Sequence, residues 1–169
     1  MGIPLYGQEG QGGHYNQLAP AGGKRVKDIS TRTLDADDSG TIFVVGNSGA
    51  STITLPACST DLIGVTYKFV WIGAETDAVT INTGDATDSG GDDFVGGVMY
   101  HTAAALNTVI QCAGNDSSIV LDDNVADTGG GPGTWIELIC VSATQWFVNG
   151  VVEGDSDADG DGTAIFVNA

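Results

Sequence analysis

Residues 37–73 read DDSGTIFVVGNSGASTITLPACSTDLIGVTYKFVWIG, and this stretch states how the chain buries itself. Two runs rich in β-branched residues, 41–45 and 51–55, flank Gly46-Asn47-Ser48-Gly49, a cluster with the composition of a hairpin turn. Pro56 closes the second run because it has no N–H to give to a ladder. Beyond a short loop the chain alternates, with Val65, Tyr67, Phe69 and Trp71 on one side and Thr66 and Lys68 on the other. A period of two with one apolar side marks a half-buried strand, here with an aromatic core face.

The same grammar continues along the chain. Short strands are expected at 78–82, 108–112, 118–121, 135–141, 145–149 and 163–167, with 108–112 and 118–121 paired as a hairpin around Ala113-Gly114-Asn115-Asp116. TGDATDSGGDDFVGG at 83–97 reads as a protruding loop, and ADTGGGPG at 126–133 as a flexible one. TAAALNTVI at 102–110 is the nearest approach to a helix, but it is short and ends in β-branched residues, so it reads as loop or strand. Many short strands, 26 glycines and no long 3.6-residue period predict an all-β fold. The expected form is an antiparallel β-sandwich or a jelly-roll-like small barrel over residues 33–169.

Residues 1–32 follow another pattern. Ile3, Leu5, Tyr6, Tyr15 and Leu18 are spaced by glycine and glutamine with no period that would bury them together, so the segment is expected to form an extended N-terminal arm. Lys24, Arg25, Lys27 and Arg32 follow within nine residues. Spaced apolar anchors suit an arm that lies across another subunit, and the basic cluster adds attraction to an acidic neighbour.

The formal net charge of −17 is unevenly placed. Residues 33–169 carry 20 acidic side chains against Lys68 alone, giving −19, while residues 1–32 carry four basic and two acidic ones, giving +2. A body this acidic repels phosphate backbones and anionic lipid, which excludes nucleic-acid or membrane binding as its main work. The sequence has no basic start followed by an apolar run and nothing near the ~20 apolar residues of a membrane span, so synthesis in a reducing cytoplasm is expected.

Reactive chemistry has little to stand on. Cys58, Cys112 and Cys140 lack CxxC or Cys/His spacing, and Cys140 is in phase with Ile136 and Leu138, so buried thiols are expected. Asp155, Asp157, Asp159 and Asp161 ahead of Gly162 resemble the front of a calcium loop. The twelfth position is Phe166 where such a loop needs a glutamate, so this is a weak calcium candidate and reads first as an acidic hairpin tip. His14 and His101 sit beside no nucleophile motif, and the pairs Asp92-Asp93 and Asp122-Asp123 read as solvated loop acids. Trp71, Trp135 and Trp146 read as core or subunit contacts before sugar-stacking rings. No catalytic residue and no cofactor is expected.

Ser39-Gly40, Phe43-Val44-Val45, Ile53-Thr54-Leu55-Pro56 and Gly64 leading into Tyr67-Lys68-Phe69 resemble the small β-rich virion proteins of tailed bacteriophages, especially capsid decoration (cement) proteins and head fibres. Residues 133–140, GTWIELIC, followed by Trp146-Phe147-Val148-Asn149-Gly150, are similar to the late hairpin of the same proteins. The likeness covers residues 33–150. It implies a non-enzymatic homotrimer on the outer face of the capsid, made in the host cytoplasm. Its arm, through the apolar and basic residues named above, would bridge neighbouring major capsid subunits. The alternative is a head-fibre or tail module that recognises host surface glycans through acidic loops at 85–93 and 155–161.

Overall fold

The computed structural model describes residues 26–28, 31–46, 49–73, 77–85, 91–101, 107–122, 128–154 and 165–168, and of Lys27 and Asp28 the backbone only. Twelve strands form among them: β1 (Val26–Asp28), β2 (Arg32–Thr33), β3 (Thr41–Val45), β4 (Ser51–Thr54), β5 (Thr66–Trp71), β6 (Val79–Asn82), β7 (Asp93–His101), β8 (Thr108–Gln111), β9 (Ser118–Leu121), β10 (Trp135–Ser142), β11 (Gln145–Glu153) and β12 (Phe166–Val167). They make two open sheets, one of seven strands in the order β1-β3-β5-β10-β11-β7-β8 and one of five in the order β12-β9-β6-β4-β2. The all-β sandwich expected from the alternating pattern is therefore what the chain builds, and neither sheet closes into a barrel.

The expectation of purely antiparallel sheets is corrected. Of the ten described pairings, β1–β3, β3–β5, β2–β4, β4–β6 and β7–β11 are parallel and the other five antiparallel. From β1 to β6 the chain alternates sheets at every step, so odd strands stack in one layer and even strands in the other. β3 and β4 therefore form no hairpin, since they lie in different sheets. The same holds for β8 and β9, which lie in different sheets. Only β10 and β11 meet through the short turn that the sequence suggested, with Ser142 opposite Gln145.

Alternation alone cannot separate these cases. In a hairpin the inward residues of both strands share one side of one sheet, whereas across an arch they face each other through the core. Both arrangements need the same buried positions, here Phe43 and Val45 on β3 and Ser51 and Ile53 on β4.

The core lies between the layers. Phe43 and Phe69, opposite each other on β3 and β5, stack with centroids 5.3 Å apart, and Tyr67 leans on Trp146 at 5.6 Å. Ile53, Ile81, Ile119 and Leu121 close the core from the smaller sheet, all fully buried. Each such side chain contributes about 1.5–3 kcal/mol by leaving water. Cys140 is buried with them, while Cys58 and Cys112 are half-buried, and all three are free thiols. Burial, aided by the Asp116 charge, pushes the Cys112 thiol up to about 12; burial, with Asp92 and Cys140 adding to it, holds the Cys58 thiol higher still. Both stay protonated at neutral pH.

Asp92 corrects another expectation, since it is not solvated but only 4 % exposed. Its carboxylate accepts the Cys58 backbone N–H at 2.7 Å and so ties the loop after β4 to the start of β7. Desolvation outweighs that bond and raises the carboxyl above the usual Asp range. The proton is then held more tightly in the folded chain. The contribution of Asp92 to stability is thus greatest below its unfolded pKa and declines as pH rises through the folded one. Asp92→Asn, which keeps an acceptor for Cys58, is expected to melt at or above the wild-type temperature at neutral pH, with the difference shrinking toward acid. A neutral-pH melting temperature that drops, and recovers on acidification, would show that the carboxylate charge stabilises the fold.

Candidate binding face

The two sheets differ on the sides they turn away from the core. On the smaller sheet those positions are mostly polar: Thr33, Thr52, Thr54, Thr80 and Asn82, with Asn82 accepting the Ser118 hydroxyl at 2.7 Å, and with Val120 and Val167 as the apolar ones. On the larger sheet they are not. Strand register places Val44, Val70, Trp135, Val151, Met99 and Val109 in one row across β3, β5, β10, β11, β7 and β8. A second row holds Ile139, Phe147 and Val95. Between the two runs a mixed row, Ile42, Lys68, Glu137, Asn149 and Gly97. Met99, Val109, Val141 and Phe147 are 45 %, 63 %, 43 % and 39 % exposed.

The sequence carries a signal for this face. Ile42 to Val45, Phe69 to Ile72, Leu138 to Val141, Trp146 to Val148 and Val98 to Tyr100 are unbroken apolar or aromatic runs rather than alternating ones. Continuous runs are the mark of strands covered on both sides. The charge is equally marked. In a chain of net charge −17, the three rows from β3 to β8 carry Lys68 and Glu137 only, and these lie opposite each other; register adds Asp28 of β1 at the end of the first row. The Lys68 ammonium sits over the Trp135 ring, 4.7 Å from its centroid, where its charge meets the ring face.

The tryptophans divide accordingly. Trp71 and Trp146 are 1 % and 0 % exposed and belong to the core, so the three rings form no sugar-stacking platform; Trp135 stands on the outer face.

The residues singled out in the sequence are placed as follows. Ile3, Leu5, Tyr6, Tyr15, Leu18, Lys24 and Arg25 lie outside the described residues, as do Asp155, Asp157, Asp159 and Asp161. Lys27 is in β1 and Arg32 in β2, so the part of the presumed arm from 26 onward contributes strands to both sheets. Arg32 is engaged within the fold: its guanidinium donates to buried Asp38 at 2.7 Å and lies 5.6 Å from the Phe43 ring centroid. Of the acidic loop at 85–93, Asp92 is turned inward. His101 pairs with Glu153 at 2.7 Å on the surface. Among the described residues no group of three His, Cys, Asp or Glu side chains could hold a metal ion, and no helix is long and apolar enough to cross a membrane.

Comparison with protein-family models, curated proteins and solved structures found no match.

Proposed function

We infer that the protein is a structural attachment protein: it fastens to the surface of a larger protein assembly and does no chemistry. The observation that carries this reading is the point at which residues 1–25 join the fold. They are continuous with β1, the edge strand of the larger sheet, while among the described residues the buried core begins at Leu34. The arm's spaced apolar and aromatic residues are thus tethered at a sheet edge of a body that has a core of its own among the described residues. The likeness of residues 33–150 to capsid decoration proteins names the assembly: the outer surface of a tailed-phage head, with the arm laid across neighbouring major capsid subunits. Several copies acting together would multiply modest contacts, because each arm that binds raises the effective concentration of the next.

The test is co-sedimentation with empty heads of the phage that encodes the chain. Because Arg32 and β1 belong to the body, the truncation removes residues 1–25 only. The full chain is expected to pellet with the heads, and the truncated chain to stay in the supernatant with an unchanged circular dichroism spectrum. Equal pelleting of the two would remove the arm from the attachment. Binding of neither would refute the capsid reading.

A further inference from the structure

We propose that the apolar outer face of the seven-stranded sheet is buried against the same face of a second copy, so that the protein is a two-fold pair. Three observations carry this. The first is coverage in the sequence itself, since β3, β5, β10, β11 and β7 each place at least one large apolar residue, such as Val70, Trp135, Phe147 or Met99, on the parity that the core does not use.

The second is extent. Six strands spaced about 4.8 Å apart and three rows along them span roughly 600 Å² before side-chain relief is counted. A little over half of that is apolar, within the about 300–600 Å² of the largest apolar patch on a monomer, and the whole face approaches the ~800 Å² that each partner of a stable pair contributes.

The third is charge. Two chains of −17 repel wherever their acidic surfaces meet, whereas within these rows from β3 to β8 the one acid, Glu137, is set against Lys68, and the other acids of this side on those strands, Asp93 at the start of β7 and Glu153 at the end of β11, lie beyond the rows. The partner surface must itself be apolar, and the outer face of the smaller sheet, with its threonines, is not. Among the described residues, the surface that matches the face is therefore the face itself. Packing like on like also fits the geometry of stacked sheets, which lie about 10 Å apart with interdigitated side chains. A pair of this kind replaces the trimer implied by the likeness to decoration proteins, and it stands whether or not the protein binds a capsid.

Trp135 supplies a readout that needs no substitution, because Trp71 and Trp146 are already shielded in the core. As the concentration of the full chain is raised, acrylamide quenching of tryptophan fluorescence is expected to fall while the mass in sedimentation equilibrium doubles. Salt should strengthen the pair by screening the acidic bodies. The double substitution Met99→Glu and Phe147→Glu is expected to return the mass to that of one chain and to keep quenching high at every concentration. A full chain of single mass with constant quenching would overturn the proposal, as would a folded double variant that still doubles. If only the chain lacking residues 1–25 doubles, the arm is the occupant and the proposal fails. Should the double variant not fold, the unsubstituted chain decides alone. Loss of capsid co-sedimentation with pairing intact would refute the attachment reading and leave this one standing.

Discussion

Trp146→Ala is expected to remove a large part of the fold's stability. The indole is fully buried on β11 between the layers and leans on Tyr67 at 5.6 Å, and its N–H has no partner among the described residues, so its contribution is packing. Truncating a buried tryptophan to alanine costs about 3–5 kcal/mol, against a total of about 5–15 kcal/mol for a domain of ordinary stability. At this chain length the melting temperature should fall by about 10 °C or more. Trp146→Phe keeps most of the filling and strands no polar group, so it should cost about 1–2 kcal/mol. Thermal denaturation of the two variants checks both the size and the order. Equal losses would mean that the indole nitrogen, and not the ring's volume, is what the core requires.

Gly84→Ala should be as damaging for a different reason. The turn after β6 runs so close to the segment after β4 that a Cβ on Gly84 would stand 2.1 Å from the Ala57 nitrogen and 2.4 Å from the Pro56 carbonyl carbon. Backbone cannot step aside as a side-chain tip can. The two segments must separate, and with them the Cys58–Asp92 tie one residue further on. A loss of about 4 kcal/mol or more is expected, the range reached when a substitution breaks a special backbone contact. Gly64→Ala is the control. Gly64 has φ +94°, yet nothing lies within 4 Å of its Cβ position, so only the left-handed conformation is penalised, by about 1–2 kcal/mol. Chemical denaturation of the pair separates contact from conformation. A Gly84→Ala variant no weaker than Gly64→Ala would show that the two segments are not in close approach.

The residues of this chain announce their strands far more clearly than their neighbours. β3, β5, β6, β9 and β10 fall where β-branched and aromatic alternation puts them, because inward and outward positions are a local property of a pleated chain. Which strand lies beside which is not local. The cluster at 46–49 suits a hairpin and an arch alike, and nothing in Phe43 or Ile53 distinguishes a neighbour in the same sheet from one across the core. β7 escaped for another reason: Gly96 and Gly97 interrupt it and a glycine- and aspartate-rich run precedes it, so turn composition masked the buried series Phe94, Val98 and Tyr100. β1 and β2, of three and two residues, are too short to show a period, so β1 and Arg32 read as part of an arm that ends at residue 32. The outer face was legible in principle. Its signal is the failure of alternation, as in Ile42 to Val45, which a search for alternating strands passes over.

The layered winding from β1 to β6 leaves its mark on how such a chain can change. Each circuit pairs only with the circuits beside it, and β1 and β2, short as they are, end the stack without a lid among the described residues. Duplicating or deleting a circuit at that end would alter the height of the molecule while leaving the later strands undisturbed, much as courses are added to a wall. Kindred chains are therefore expected to differ in the number of circuits before β3, with the stretch from β5 to β11 kept at constant length.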